Sequence, residues 1–129
     1  MPPITELTRI EPIHLARLEH QGVFTSGLLL GVSDTPTRRR LLADQVRATA
    51  NDVLTWRDEA LLLNLAGFGR DEHALFRLAG FDGLSAVLGV ELEPFRAGLA
   101  RAAGRLRQGP PTDLQVETWW QQARTLAEE

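Results

Sequence analysis

One segment of the chain occurs twice, and this repeat constrains the fold more than any other feature of the sequence. Residues 7–33, "LTRIEPIHLARLEHQGVFTSGLLLGVS", align without gaps with residues 65–91, "LAGFGRDEHALFRLAGFDGLSAVLGVE". Farther on, "VLTWRDEALLL" aligns with "VETWWQQARTL", which pairs Trp56 with Trp119. The second copy is about five residues longer, and we place the extra residues in the loop "QGPPT". We therefore predict an arm at residues 1–6 and repeats at residues 7–64 and 65–127.

The local signals within both repeats are helical. Gly22 follows "PIHLARLEHQ" and suits the left-handed position just past a helix end. Side chains that cap helix N-termini, and prolines that fit a first helical turn, precede the other apolar stretches. These start signals are Thr25, Thr35 with Pro36, the capping box Thr49–Asp52, Pro94, and Thr112 or Asp113.

The apolar spacing completes the prediction of fold class. Val53, Trp56, Ala60 and Leu63 recur at intervals of three and four, as on one face of a helix. No stretch of alternating β-branched residues indicates a strand. The sequence predicts an all-α protein of about eight short helices in two similar halves, with Trp56 and Trp119 in the core. A half of about 60 residues buries too little apolar surface to be stable alone, so we expect all 129 residues to form one domain with one shared core.

Composition narrows the classes of function. The chain has no cysteine, which excludes disulfides, thiolate metal sites and cysteine nucleophiles. It has no signal peptide and no apolar run near the roughly 20 residues of a membrane span, so we expect a cytoplasmic protein without a membrane partner. The net charge of -3 has the wrong sign for a protein that wraps nucleic acid by bulk electrostatics. Any anion site must be local.

Three stretches give the chain a family resemblance. "LTRIEP", "LARLEHQG" and the tryptophan helix "VLTWRDEALL", followed directly by "NLAGFG", resemble the domain of unknown function family 4332. The resemblance extends over nearly the whole chain. It implies tandem helix-hairpin-helix-like repeats, no known catalytic site and no settled function.

The turn at residues 65–69, called here the second turn, is the best local candidate for an anion site. In helix-hairpin-helix proteins that bind DNA, glycines let backbone N–H groups approach phosphates, and Gly67 and Gly69 meet this requirement. Arg70 could add a charge-assisted contact. The equivalent first turn, residues 7–11, has Arg9 and Glu11 at these positions, and a carboxylate there would repel phosphate. The alternative is that the glycines only let two helices pack closely.

Two further features have both a functional and a structural interpretation. Arg38, Arg39 and Arg40 lie in a first helical turn, where the helix dipole disfavours cations, so they are candidates for contacts with an anion or an acidic partner. The alternative is a solvated helix start near Asp34. Trp120 lies about 100° around its helix from Trp119, and it is either an exposed contact for a protein partner or additional core.

The inventory of reactive residues gives no catalytic site. His14, His20 and His73 lack the spacing of a zinc site, and we expect each to lie half-exposed on a helix. We find no serine elbow and no phosphate-binding loop. The sequence thus predicts a non-enzymatic module without cofactor or metal that binds another protein, as an adaptor or assembly factor. Weak, sequence-independent nucleic-acid binding through the second turn is the alternative, and self-association is compatible with either.

Overall fold

The computed structural model describes residues 2–128, and this part of the chain contains eight α-helices and no β-strand. The prediction of an all-α fold with about eight short helices is therefore confirmed. A short 3₁₀ turn, Ile4–Glu6, precedes the first helix. The helices are α1 (Pro12–His20), α2 (Ser26–Val32), α3 (Pro36–Val46), α4 (Ala50–Leu63), α5 (Arg70–Leu78), α6 (Leu84–Leu88), α7 (Leu92–Arg105) and α8 (Asp113–Glu128).

The contacts of the chain divide it into two compact units, Met1–Asn64 and Leu65–Glu129, and the boundary falls where the two repeats meet in the sequence. In the first unit, α4 packs against α2 and α3, and α1 packs against α3. In the second unit, α8 packs against α6 and α7, and α5 packs against α7. The core shared by both repeats remains a prediction, as does the helix-hairpin-helix character of the repeats.

The predicted capping residues begin four of these helices. The hydroxyl oxygen of Thr25 accepts a hydrogen bond from the Leu28 N–H at 3.1 Å, and Thr35 accepts from the Arg38 N–H at the same distance. Thr49 and Asp52 form a reciprocal capping box. The hydroxyl of Thr112 accepts from the Gln115 N–H at 3.2 Å, while the Gln115 carboxamide accepts from the Thr112 N–H at 3.0 Å. Each cap satisfies N–H groups that have no acceptor within the helix.

Glycines end the first helix of each unit. Gly22 has φ +85° and Gly80 has φ +90°, as the sequence predicts for Gly22. In each case the next residue turns back to the helix, since Val23 N–H donates to the Leu18 carbonyl at 2.9 Å and Phe81 N–H donates to the Phe76 carbonyl at 2.8 Å. This pattern satisfies the last carbonyl groups of the helix and fixes the direction in which the chain leaves it.

Two sequence predictions are corrected. Helix α7 begins at Leu92, two residues before Pro94, because a proline is tolerated within a first turn whose N–H groups have no helical acceptor. His73 is buried, with its ring centroid 6.1 Å from that of Phe68, whereas His14 is half-buried and His20 is exposed. Helix α5 directs the His73 side chain toward the apolar interior of its unit. The sequence alone does not reveal this burial.

Each unit has its own set of buried side chains around a buried tryptophan. Trp56 and Trp119 are both buried, which confirms that prediction. In the second unit, Phe76 is surrounded by aromatic rings whose centroids lie 4.9 Å (Phe68), 5.2 Å (Trp119) and 5.7 Å (Phe95) away. These edge-to-face contacts add to the apolar burial that holds α5, α7 and α8 together.

Candidate functional site

A buried carboxylate closes the first turn. Glu59, on α4, is completely buried and accepts hydrogen bonds from the N–H of Thr8 at 2.8 Å and the N–H of Arg9 at 3.0 Å. The Thr8 hydroxyl donates to the second carboxyl oxygen of Glu59 at 2.5 Å. The Arg9 guanidinium pairs with Asp58, the residue before Glu59, at 3.2 Å. The backbone N–H groups that a phosphate would need here already donate to a side-chain carboxyl group of the protein.

A neutral amide takes the corresponding position in the second unit. Gln122 aligns with Glu59, and its Oε1 accepts a hydrogen bond from the N–H of Ala66 at 2.8 Å. The indole N–H of Trp119 donates to the Ala66 carbonyl at 3.0 Å. Helix α8 therefore holds both polar backbone groups of Ala66. These two bonds end at Ala66, so in the described part of the chain Gly67 and Gly69 make no hydrogen bond with α8.

The structure brings Gly67, Gly69 and Arg70 together at the surface. All three are exposed, and Gly67 has φ +67°, the left-handed conformation that favours glycine. Within residues 2–128, the N–H groups of Gly67 and Gly69 have no acceptor. However, Oε2 of Glu72 lies 3.8 Å from the position that a Cβ on Gly69 would take. An anion bound at this turn would therefore meet a carboxylate.

Carboxylates also border the cleft beside the second turn. The cleft has a volume of about 230 Å³, and Asp71 and Glu72 at the start of α5 form one side of it. Residues 108–111 of the loop before α8 form the other side, and Trp119 also contributes to its lining. Like Glu72 beside Gly69, this acidic border disfavours the approach of a polyanion.

The conformation of Gly67 gives a stability prediction. Gly67→Ala should lower the free energy of unfolding by about 1 kcal/mol, because a residue with a Cβ is strained at positive φ. Gly104, which lies within α7, has no atom within 4 Å of its would-be Cβ and no positive φ. Gly104→Ala should therefore raise the free energy of unfolding, by about 0.5 kcal/mol. Urea unfolding of both variants checks this pair, and a neutral or stabilising Gly67→Ala would contradict it.

The arginine cluster is used largely within its own unit. Arg38 donates to the Gly31 carbonyl at 2.9 Å and pairs with Asp34 at 3.2 Å, while Arg39 donates to the Ser33 carbonyl at 3.0 Å. Both guanidinium groups thus lie at the C-terminal end of α2, where carbonyl groups without helical partners favour cations. Arg40 is exposed. The positive end of the α3 dipole disfavours Arg38 and Arg39, but the carbonyl groups at the end of α2 accept their hydrogen bonds and offset this effect.

Trp120 has the structural role that its repeat counterpart Arg57 has in the first unit. Arg57 donates to the Leu30 carbonyl at the end of α2 at 2.9 Å, and Trp120 Nε1–H donates to the Val90 carbonyl after α6 at 3.1 Å. The Arg124 guanidinium lies 3.5 Å from the centroid of the Trp120 ring and also donates to Val90. Trp120 is half-buried, so it is neither a free surface side chain nor full core.

Electrostatics at the end of α2 follow from this packing. Burial lowers the pKa of the Arg57 guanidinium from its ordinary value, the positive charge of Arg39 adds to the lowering, and Asp34 partly offsets it. Arginine nevertheless remains charged at neutral pH. The end of α2 is therefore a basic region, made by Arg38, Arg39 and Arg57 with Asp34 as counter-ion.

An apolar stripe on the outer side of α2 was not identified from the sequence. Leu28 and Val32 are 48% and 39% exposed and lie four residues apart on one face of α2, and Phe24, which is 56% exposed, lies in the extended segment just before the helix. We call these three residues the α2 stripe. The other exposed large apolar side chains lie one to a helix or loop: Ile13, Leu41, Leu54, Leu106 and Leu114.

The second unit lacks the α2 stripe. Asp82 and Ala86 align with Phe24 and Leu28, and only the valine is retained, as Val90. Because these positions lie on or beside the second helix of each unit, the difference between the units is one of surface chemistry. The alignment of the repeats could have signalled it, since apolar residues that one copy loses are not required by the fold.

No group of three His, Cys, Asp or Glu side chains within residues 2–128 is placed to hold a metal ion. None of the described helices is both long and apolar enough to cross a bilayer.

The fold and these contacts define an all-α protein of two four-helix units whose turns are held by side-chain acceptors on the last helix of each unit. Residues 8–126 match the model of a family described as a domain of unknown function, DUF4332, and the chain belongs to this family. No curated protein and no solved structure matches the chain.

Proposed function

We propose that this chain is a non-enzymatic, cytoplasmic interaction module that binds another protein through the α2 stripe, as an adaptor or assembly factor. The observation that carries the proposal is the stripe itself, three half-exposed apolar side chains on α2 and the segment that leads into it. Apolar side chains grouped in this way favour a protein interface, where their burial contributes most of the binding energy. The second repeat supports the proposal because it has Asp82, just before α6, and Ala86, within α6, in place of Phe24 and Leu28.

Trp120 and the arginine cluster are less suitable as the main contact. The indole N–H and one ring face of Trp120 already have partners, and Arg38 and Arg39 bind carbonyl groups of their own unit. A partner that used these groups would first have to displace internal hydrogen bonds. The α2 stripe has no such cost, because burying an apolar side chain breaks no hydrogen bond.

Capture of partners from a native lysate tests the proposal. Immobilised wild-type protein should enrich at least one other protein, and Phe24→Asp should reduce that enrichment about tenfold or more, as expected when the largest and most exposed side chain of the stripe becomes charged. Leu114→Asp is the matched control, since Leu114 is 75% exposed on α8 and lies outside the stripe. Equal capture by wild type and Phe24→Asp, or no enriched protein at all, would contradict the proposal.

The exposed N–H groups of Gly67 and Gly69 favour a second candidate function, weak and sequence-independent binding of nucleic acid. Arg70 would add a cationic contact. We rank it second because Glu59 fills the first turn and Glu72 borders the second one. With one turn on an acidic protein, the dissociation constant should be no tighter than about 10⁻⁴ M at physiological salt.

Fluorescence anisotropy with labelled DNA and RNA tests this second function. Gly69→Glu places at the second turn the residue that the first turn has as Glu11, and it should abolish any binding that uses these N–H groups. Binding that falls steeply with salt in the wild type and disappears in Gly69→Glu would promote the second candidate. Binding that persists in Gly69→Glu would exclude the turn as its site.

A further inference from the structure

Positive charge is concentrated at the end of α2, where the α2 stripe also ends. Three guanidinium groups donate hydrogen bonds to carbonyl groups there: Arg57 to Leu30 at 2.9 Å, Arg38 to Gly31 at 2.9 Å and Arg39 to Ser33 at 3.0 Å. Gly31 and Ser33 are the residues on either side of Val32. These contacts therefore place two of the three guanidinium groups beside the last residue of the stripe.

One carboxylate offsets only part of this charge. Asp34 pairs with Arg38 at 3.2 Å, and both side chains are more than half exposed. Three guanidinium groups and one carboxylate leave a positive excess at this end of the stripe, although the whole chain has a net charge of -3. A charged group of a partner is attracted by this excess without displacing the internal hydrogen bonds, because charges interact over a Debye length of about 8 Å.

The second unit shows that the fold does not require this excess. Arg96 aligns with Arg38, and Ala97 stands in the position of Arg39. Arg96 forms ion pairs with three carboxylates, at 2.6 Å (Glu93), 3.3 Å (Asp113) and 3.6 Å (Glu117). The second unit therefore lacks both the apolar stripe and the positive excess beside it. Because the two features occur together in one unit and are absent together from the other, we treat them as one surface.

The dimensions of this surface suit a short helix. Leu28 and Val32 lie four residues apart on α2, and Phe24 extends the apolar surface along the segment before it. Gly31 is exposed beside them, and a Cβ there would meet no atom within 4 Å, so a partner can approach closely. An amphipathic helix presents apolar side chains along one face at intervals of three and four, and about two turns of it would cover the stripe.

We propose that the partner of the α2 stripe is an acidic amphipathic helix of another protein, whose apolar face covers the stripe and whose carboxylates lie against the guanidinium groups at the end of α2. This inference rests on the proposed function, because it gives the chemistry of the partner of the same surface. Apolar burial provides most of the affinity of such a contact, and charge complementarity fixes its orientation and speeds association.

An anionic membrane would share part of this chemistry. A flat layer of anionic headgroups would also press against the exposed Asp34 carboxylate, and like charges repel. A helix can place its carboxylates beside the guanidinium groups and away from Asp34. The helix is therefore the partner that the charges favour.

Selection from a peptide display library tests the inference with the full chain. The library contains helix-forming peptides of about 16 residues, with leucine fixed at intervals of three and four and with glutamate, lysine or glutamine elsewhere. Peptides enriched on the wild type should be acidic. By fluorescence anisotropy, the best of them should bind Phe24→Asp about tenfold less tightly and Leu114→Asp as tightly as the wild type. Leu28→Ala, which should also weaken binding, replaces Phe24→Asp if that variant fails to fold.

Two variants of Arg38 test the charge. Arg38→Glu should weaken binding of the same peptide about tenfold, and Arg38→Gln, which keeps an amide donor for the Gly31 carbonyl, should weaken it less. Arg105→Glu is the matched control, since Arg105 is exposed on α7 and has no partner within residues 2–128, and it should leave binding unchanged. If the Arg38 variants fail to fold, the salt dependence of the wild type tests the same point, because binding should weaken several-fold between about 0.05 M and 0.5 M NaCl.

Several results would overturn the inference: enriched peptides that are neutral or basic, no enriched peptide, or binding that neither salt nor the Arg38 variants change. Vesicles of phosphatidylcholine and phosphatidylserine that bind the wild type but not Phe24→Asp would overturn it in favour of a membrane. If capture of a protein from lysate depends on Phe24 but the selected peptides show no acidic preference, the inference fails while the proposed function stands. If neither assay depends on Phe24, both fail.

Discussion

Glu59→Ala is expected to lower the free energy of unfolding by about 3 kcal/mol, because it removes a buried acceptor of several hydrogen bonds and leaves their donors unsatisfied. The N–H groups of Thr8 and Arg9 and the Thr8 hydroxyl would all lose their acceptor. These bonds join residues about fifty positions apart in sequence, so they attach the first turn to α4. Urea unfolding followed by far-UV circular dichroism measures the loss.

Two variants separate this role from a simple change of size. Glu59→Gln keeps one acceptor oxygen and the shape of the side chain, and should cost about 1 kcal/mol. Gln122→Ala removes the single bond to the Ala66 N–H in the second unit and should also cost about 1 kcal/mol. The account of the first turn would be wrong if Glu59→Ala destabilised the protein no more than Gln122→Ala.

The second large effect is expected at Phe76. Phe76→Ala should lower the free energy of unfolding by about 4 kcal/mol, since it leaves a cavity among Phe68, Phe95 and Trp119 that these rings cannot fill. Tryptophan fluorescence in urea measures it, because Trp119 lies in direct contact with the lost ring.

The first unit supplies the matched control for this variant. Leu18 occupies the position of Phe76 in the first repeat and is completely buried there. Phe76→Leu should therefore cost only about 1 kcal/mol, as a substitution that keeps most of the apolar volume. If the alanine and leucine variants lost similar stability, the aromatic cluster would not be what holds the second unit together.

Local sequence signals predicted the helices well, because they act over a few residues. Thr25, Thr35 and Thr49 each accept a hydrogen bond from an N–H three positions on, so a short window contains both partners. The burial of Trp56 and Trp119 followed from a helical spacing that the second copy repeats. These features need no knowledge of the tertiary fold.

Contacts between distant segments could not be predicted in the same way. A glutamate on a helix is expected at the surface, so the sequence does not predict that Glu59 is buried. Its burial becomes evident only when the first turn is placed against α4. The exposure of Leu28 is equally invisible, because the apolar run "GLLLG" does not show which side of a seven-residue helix faces the solvent. Equivalent positions of the two repeats can be compared, Glu59 with Gln122 and Phe24 with Asp82. Residues that differ at such positions are not required by the shared fold, so they are the candidates for a separate role.

Two surfaces therefore compete for the role of binding site, the α2 stripe and the second turn. The second turn offers two N–H groups beside a carboxylate, and the α2 stripe offers apolar area without a desolvation cost. We propose that the stripe is the binding surface and that its partner is a protein.

Site-specific photo-crosslinking tests that claim directly. A photoreactive phenylalanine derivative replaces Leu28 in one variant and Arg70 in another, and both are irradiated in native lysate. The account predicts protein adducts from position 28, lost when Phe24→Asp is added, and no nucleic-acid adduct from position 70. Nucleic-acid adducts from position 70, together with no protein adduct from position 28, would contradict it.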